Sequence, residues 1–486
     1  MPATFRGGAG TLVGMTDETT LGALRASGYP DRTVKEELRS NLLSRLELGQ
    51  ELFPGILGFD DSVIPGLERG ILAGHDLILL GERGQAKTRL VRAIVNLLDA
   101  SVPMIAGCEV NDHPYRPICA RCRELVAAEG DATSIAWLTR DDRYSEKLAT
   151  PDTSVADLIG DVDPIRVAEG RYLADELTIH YGMIPRTHRG IVAINELPDL
   201  PERIQVSLFN ILEERDVQIR GYRIRLPLDI LLVVTANPDD YTHRGRIVSP
   251  LKDRFGTQVR THYPETATEE IRIMEQEARP VGGAVPSRVP LFMEEVVASL
   301  TQELRRSPHV NHRSGISVRY SIGNLETLQA AAIRRAARAH EPEAVPRPID
   351  LPAVLRSSEG RVEFDTVEEG READILSRAL RQAELGVFRR RLSGYDFTPL
   401  LNRFDDPNFA VDTSELTPAS EILDAFGDLP GLAKLLGRLG VQEESPGVAA
   451  SALEFALEGL HLSRRLNKDE ADGVARYEGV AESTDT

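Results

Sequence analysis

The stretch Asp76-Leu77-Ile78-Leu79-Leu80-Gly81-Glu82-Arg83-Gly84-Gln85-Ala86-Lys87-Thr88 constrains this chain more than any other. Its apolar run predicts a strand buried on both faces, because a parallel strand covered by helices needs no polar alternation. A glycine-bearing turn follows, and then Leu90, Val91, Ile94, Leu97 and Leu98 recur at helical spacing. Strand, turn, Lys-Thr and helix make a phosphate cradle. Successive backbone N–H groups and the positive helix end face an anion, Lys87 reaches its terminal phosphates, and the Thr88 hydroxyl can ligate Mg²⁺. Against the pattern G-x-x-x-x-G-K-[ST], Ala86 stands where the second glycine belongs.

The same alternation of strand and helix continues downstream. Residues 190–194 and 229–236 read as buried strands ending at Asn195-Glu196 and Asn237-Pro238, with shorter strands at 102–106 and 257–261. Ile204, Leu208, Ile211 and Leu212 place a helix over 201–214, and residues 217–225 alternate around Gly221 as a hairpin. Strands separated by helices, with polar groups at the strand ends, predict a parallel α/β sheet with its ligand outside the carboxyl ends. Helices are expected at 33–48, up to 72 and at 121–128, then beyond Pro264 at 265–278, 291–307, 321–340, 371–392, 418–439 and 448–466. Pro342, Pro346, Pro348 and Pro352 read as a boundary. The expected organisation is an arm (1–32), the α/β domain (33–264, with an insertion at 107–123), a helical lid (265–345), a C-terminal helical region (346–470) and a disordered acidic tail (471–486).

With 486 residues, 41% hydrophobic and 27% charged, the chain can bury a sizeable core. No apolar run approaches the roughly 18 residues of a membrane span. Residues 1–14 carry one basic residue and no long apolar core, so no secretory signal is predicted and a cytoplasmic location is expected. The net charge of −19 leans against a broad nucleic-acid surface.

Hydrolysis of a nucleotide needs a group that orients or deprotonates water, and cations to meet the charge that develops. Glu196, at a strand end, suits the first task; a helix-capping acid is the plainer explanation of such a residue. Asn195 stands where an aspartate usually assists the metal, and brings an amide oxygen without charge. All three cysteines fall within fifteen residues, as Cys108-x4-His113-x5-Cys119-x2-Cys122. A Cys-x-x-Cys pair with a third sulfur and an imidazole can enclose one tetrahedral Zn²⁺ with no open position, a structural site. Three ordinary buried thiols and a surface histidine are the alternative.

In order along the chain stand Gly81–Thr88, the Ile-Asn-Glu strand end, Thr235-Ala236-Asn237-Pro238 and Ser249-Pro250-Leu251-Lys252-Asp253-Arg254-Phe255-Gly256. The combination resembles the AAA+ ATPases of the magnesium-chelatase subunit I and MoxR group, over about residues 53–328. The resemblance implies a P-loop AAA+ core that binds ATP and Mg²⁺. Gly81, Gly84, Gln85, Ala86, Lys87, Thr88 and Arg89 would hold nucleotide, with Thr88 and Asn195 at the magnesium and Glu196 activating water. Asn237 would position water, Arg254 would act on a neighbouring subunit's ATP, and Arg319 would serve as the lid's sensor. Arg244 and Arg246 are rivals for the role in trans. Surface charge is the commoner fate of an arginine; the motif context sets Arg254 and Arg319 apart. The resemblance also labels the hairpin around Gly221 and the region 161–189 as insertions facing a pore or partner. Ala86 and Asn195 depart from the pattern, and the cysteine cluster lies outside it.

The resulting expectation is an ATP-driven remodelling machine, a homo-oligomeric ring and in particular a hexamer. Its partner would carry a von Willebrand-type domain or be a metalloenzyme under maturation. The ATPase subunit of a magnesium chelatase is one alternative, and a nucleotide-gated scaffold with little turnover is another. Salt-dependent binding to DNA would revive a role on nucleic acid.

Overall fold

The computed structural model describes residues 18–162, 179–214, 226–238, 247–279, 285–311, 315–365, 370–441, 445–471 and 473–480. The chain divides into two compact units. One comprises Met1–Pro54, Asp61–Leu80 and Lys87–Arg260; the other comprises Gly55–Asp60, Gly81–Ala86 and Thr261–Thr486.

The first unit is built on a five-stranded, all-parallel sheet. Its strands are β1 (Leu77–Leu80), β4 (Tyr144–Leu148), β7 (Gly190–Asn195), β8 (Ile230–Ala236) and β9 (Thr257–Arg260), in the order β4-β7-β8-β1-β9. Every residue of β1, β7 and β8 is buried, which is why they read as unbroken apolar runs. The edge strand β4, Tyr-Ser-Glu-Lys-Leu, has no such run and was not expected. The helix Val34–Glu47 starts at a capping box, with Thr33 accepting from the Glu36 N–H and Glu36 accepting from the Thr33 N–H. Helices Val63–Ala73 and Glu202–Glu214 also lie within two residues of their predicted limits.

The expected strand at 102–106 exists as β2 (Ser101–Ile105), but not in the main sheet. It pairs antiparallel with β3 (Ile135–Thr139), and the segment between them carries the cysteines and the helix Ala120–Glu129. A second small antiparallel pair, β5 (Gly160–Val162) with β6 (Ile179–Tyr181), brackets residues 163–178. Most of the region labelled an insertion, the hairpin around Gly221, Arg244 and Arg246 lie outside the described residues.

The second unit is helical over most of its length. Helices Ala267–Glu277, Leu291–Arg306, Val318–Ala339, Glu372–Arg391 and Pro446–Leu462 contribute to one hydrophobic core running from Ile271 to Tyr477. The proline-rich stretch expected as a boundary therefore lies within this unit. Ala344–Pro348 is buried, and Pro348 and Pro352 open a short 3-10 helix and a helix where their missing N–H is not needed. The single helix expected over 418–439 is two, Ala419–Phe426 and Leu432–Arg438, separated by Gly427 and Gly431 at positive φ.

The acidic tail is corrected as well. β10 (Ala410–Ser414), β11 (Asn467–Ala471) and β12 (Val474–Glu478) form an antiparallel sheet, so the tail expected to be disordered from 471 contains a strand. Ala475 and Tyr477 alternate inward and are buried, whereas Val474, Arg476 and Glu478 face out. The Tyr477 hydroxyl donates to Glu458 at 2.6 Å.

Candidate functional site

In the first unit, three parallel strands bring their carboxyl ends to one rim. Ile194 of β7 pairs with Val234 of β8, and Leu80 of β1 pairs with Ala236, so Asn195, Glu196 and Asn237 follow along that rim. Lys87 opens the helix Lys87–Ile94, is buried, and donates from Nζ to Asn237 Oδ1 at 2.9 Å. Two residues 150 positions apart, singled out for separate roles, thus meet. Thr88 is half-buried in the same first turn, and Arg89 is exposed.

The Thr235 hydroxyl links the other two. It donates to Asn195 Oδ1 at 3.3 Å and accepts from the Glu196 N–H at 3.1 Å. Glu196 is held at φ 54°, ψ 50°, a left-handed conformation that costs a non-glycine residue about 1–2 kcal/mol. Such strain gathers at functional positions. Ala86 adopts the same region at φ 55°, which accounts for a glycine being the usual occupant there.

Glu146, on the edge strand β4, was not singled out by the sequence. Its Oε1 accepts from Asn195 Nδ2 at 2.6 Å, and its Oε2 accepts from Arg92 Nε and the Tyr144 hydroxyl at 2.9 and 2.8 Å. Burial raises the Glu146 pKa, but the hydrogen bonds from Arg92 and Tyr144 and the charge of Arg92 outweigh it and leave the carboxyl below its ordinary range. An ionised carboxylate therefore lies one hydrogen bond behind the uncharged Asn195.

Arg254 is bound to its own chain. Its guanidinium pairs with Glu213 and sits over the Phe209 ring, 5.1 Å from the centroid, both residues belonging to the helix Glu202–Glu214. The Arg254 side chain remains 43% exposed. A role in trans would require it to leave Glu213, an exchange between two partly solvated ion pairs worth about 1 kcal/mol or less.

In the second unit, the loop Gly81–Ala86 is braced from within. Gln85 Oε1 accepts from the Glu82 N–H at 3.0 Å and from the Thr261 hydroxyl at 2.8 Å. Gly84, at φ 77°, lies so close to Ser317 that an added Cβ would stand 2.3 Å from the serine Cβ. Ser317 caps the helix Val318–Ala339, whose second residue is the exposed Arg319. The predicted lid arginine thus starts from a helix end packed against the cradle loop. Arg305 fixes that end by donating from Nε to Ile316 O at 2.8 Å and bidentately to the buried Glu270. The Arg305 guanidinium also covers the Tyr263 ring, whose hydroxyl donates to Arg83 O at 2.9 Å. Burial, followed by the charge of Glu82, pushes the Tyr263 phenol up. No spacing rule marks Arg305, Glu270 or Tyr263, because their partners are distant in sequence.

The cysteines do converge, but not with His113. The sulfurs of Cys108, Cys119 and Cys122 and a carboxylate oxygen of Asp112 all lie within 4.8 Å of one another, and all four residues are buried. His113 turns elsewhere: its Nδ1 accepts from the Tyr115 N–H at 3.0 Å, and its Nε2 faces Asp31 at 3.9 Å. Burial, then the charges of Arg189 and Arg116, lower His113 to about 3, so the contact with Asp31 is not an ion pair at neutral pH. Hydrogen bonds from the Cys119 and Cys122 thiols hold Cys108 far below the usual thiol range, and the bonds of Cys119 to Cys108 and Cys122 push its own thiol up. Asp112 immediately precedes the histidine, and an acid among so many carried no signal of its own.

Residues 132–255 match the model of the AAA domain (dynein-related subfamily). The magnesium-chelatase subunit ChlI of Glycine max is 25% identical over 207 residues, covering 42% of this chain and 46% of that protein. The magnesium-chelatase subunit ChlI homolog of Methanocaldococcus jannaschii is 26% identical over 191 residues, covering 38% and 47%. The chain spans just under half the length of these curated relatives. A chain from a complex of the magnesium-chelatase subunits BchI and BchD aligns with a TM-score of 0.34 and 18% identity over 68% of this chain and 94% of that one, a superposition too loose to bear on function. The chain carries an α/β core of AAA type that is similar in sequence to magnesium-chelatase subunit I, and its second unit is largely helical. Among the described residues, no helix is long and apolar enough to cross a membrane.

Proposed function

We propose that this chain is an ATP-hydrolysing AAA+ ring ATPase, resembling the magnesium-chelatase and MoxR proteins, that remodels or matures a partner protein or metalloenzyme in the cytoplasm. The observation that carries the reading is the Lys87–Asn237 hydrogen bond at the strand rim beside Glu196. Lys87 brings a buried ammonium to the strand rim, oriented there by the Asn237 amide oxygen, which suits it to meet phosphate charge. The donor set fits a magnesium nucleotide. Lys87 and the backbone of Gly81, Gly84, Gln85 and Ala86 would bind phosphate, with Arg89 at the surface of the first turn.

Thr88 Oγ1 and Asn195 would hold Mg²⁺, whose chemistry is to neutralise the β- and γ-phosphate oxygens. Glu196 would orient and deprotonate water, and Asn237 would position it. Arg254 from a neighbouring subunit would meet the γ-phosphate charge, and Arg319 would report it to the lid helices. A site completed in trans calls for a closed ring, here a hexamer, with a von Willebrand-type-domain protein or a metalloenzyme as its client and nucleic acid disfavoured by the acidic charge. A structural zinc at the cysteine cluster completes the set of cofactors.

The test is steady-state ATP hydrolysis by the full chain. Lys87→Ala should abolish nucleotide binding, and Glu196→Gln should bind ATP while lowering kcat by about 10² or more. Turnover unaffected by Glu196→Gln would refute the reading. Two narrower readings remain distinct. A magnesium-chelatase ATPase subunit is favoured by the relatives' names and predicts stimulation by the other chelatase subunits. A scaffold with little turnover is favoured by Asn195, whose amide is occupied by Glu146 and Thr235, and predicts ATP binding without phosphate release.

A further inference from the structure

We propose that Cys108, Asp112, Cys119 and Cys122 form a Cys₃Asp zinc site that closes the long connection between β2 and β3. The proposal replaces His113 by Asp112 in the ligand set, and it stands independently of the nucleotide reading.

Three observations converge on it. The first is the clustering itself: four candidate ligand atoms, all buried, lie within 4.8 Å of one another. A tetrahedral Zn²⁺ with bonds of about 2.3 Å to sulfur and 2.0 Å to oxygen needs its ligands about 3.5–3.8 Å apart, a contraction of about 1 Å. The second is an orphan. Asp112 is 0% exposed, and its Oδ2 accepts from the Cys119 N–H at 3.1 Å, while its Oδ1 has no hydrogen-bond partner. A buried carboxylate oxygen without a partner is costly, and it is rare unless an ion or water completes it.

The third is the surrounding frame. Cys119 caps the helix Ala120–Glu129 and accepts from the Cys122 N–H at 3.4 Å, while Cys108 accepts from the Asp112 N–H at 3.3 Å. Gly107 and Asn111, both at positive φ, fold the first ligand loop back on itself. Amide hydrogens thus already point at two of the sulfurs, as they must if these carry thiolate charge.

The chemistry of the donor set selects the metal. Three thiolates and one carboxylate favour Zn²⁺ over Mg²⁺ or Ca²⁺, which take oxygen shells. Four protein ligands leave no open position for substrate, so the ion would be structural. Cys108 lies three residues beyond β2, and Cys119 and Cys122 flank the start of the following helix. One zinc therefore ties both ends of the ligand loop into the core of the AAA-type unit, where these cysteines pack with Ile105 and Val110.

The experiment measures metal, not activity. Full-length protein purified without chelator is analysed for zinc by mass spectrometry, and its zinc affinity is read by competition with a chromogenic chelator. The expected result is one zinc per chain. Asp112→Asn keeps an amide oxygen for the Cys119 N–H but removes the charge at Oδ1, and should weaken zinc by more than about 100-fold, the upper end of what loss of a merely supporting residue costs. His113→Ala should leave stoichiometry unchanged and affinity within about 2-fold, on the side of the 10-fold outer-partner scale where a non-ligand falls. Cobalt substitution of the unaltered chain should give thiolate-to-metal charge-transfer bands, so a readout survives if a variant fails to fold. Zinc below half an equivalent in the unaltered chain, or zinc lost with His113→Ala and kept with Asp112→Asn, overturns the assignment.

Discussion

Ala86 offers a sharp test of how the cradle loop is built. It holds φ 55° where glycine is the usual residue, so the Cβ is accommodated at the expense of left-handed strain. That strain costs about 1–2 kcal/mol for an L-residue. Ala86→Gly removes it, but the freer unfolded chain takes back about 0.4–1 kcal/mol. The net expectation is a gain of about 0.5–1 kcal/mol, which for a unit of this size raises Tm by about 1–3 °C. Because the loop already has the glycine-like shape, affinity for a fluorescent ATP analogue should stay within about 2-fold of the unaltered chain. Gly84→Ala is the opposite case: φ 77° adds the same strain, and the new Cβ meets Ser317 at 2.3 Å and displaces the cap of the helix Val318–Ala339. Loss of that cap adds about 1 kcal/mol, for a total loss of about 2–3 kcal/mol. Calorimetry of both variants decides the matter. A destabilised Ala86→Gly, or a neutral Gly84→Ala, would show that the loop is not held in the conformation described.

Two further outcomes follow from the electrostatics. Asn195→Asp places a second carboxylate at the end of the 2.6 Å contact with Glu146, and should cost about 1–3 kcal/mol without Mg²⁺, recovered by magnesium nucleotide or by adding Glu146→Gln; equal melting with and without Mg²⁺ would count against this placement. Glu294 is pushed up to about 7 by burial and then by Glu275 and Glu295. The folded state prefers its proton, so that contribution is fully present below the ordinary 4.5 and is lost as pH rises through about 7. Glu294→Gln should therefore gain stability relative to the unaltered chain between pH 5 and 8 in urea titrations, while parallel pH profiles would discount the shift (window on the order of the two pKa values).

What could be read from sequence was what repeats or what sits next to its partner. The buried strands β1, β7 and β8 announced themselves as apolar runs, and the cradle, Asn195-Glu196 and Asn237 were found at their ends. The edge strand β4 was missed because half-burial along its length leaves no apolar run, and Glu146 was missed with it. Cys-x-x-Cys is a local signal and was legible, whereas the choice between Asp112 and His113 depends on which way a loop turns at Gly107 and Asn111. The proline cluster and the acidic tail misled for a related reason: composition marks exposure on average, and burial of Arg347 and Tyr477 is set by packing partners far along the chain.

The most direct test of the central claim mixes two inactive forms of the full chain, Arg254→Ala and Glu196→Gln. Each alone should hydrolyse ATP at about 10⁻² or less of the normal rate. If Arg254 serves the neighbouring site, random mixing creates interfaces with an intact Glu196 on one side and an intact Arg254 on the other. About a quarter of interfaces would then be competent, and activity should return toward that fraction. A mixture no more active than its components, with ring assembly intact, would place Arg254 at its own subunit's Glu213 and contradict the account.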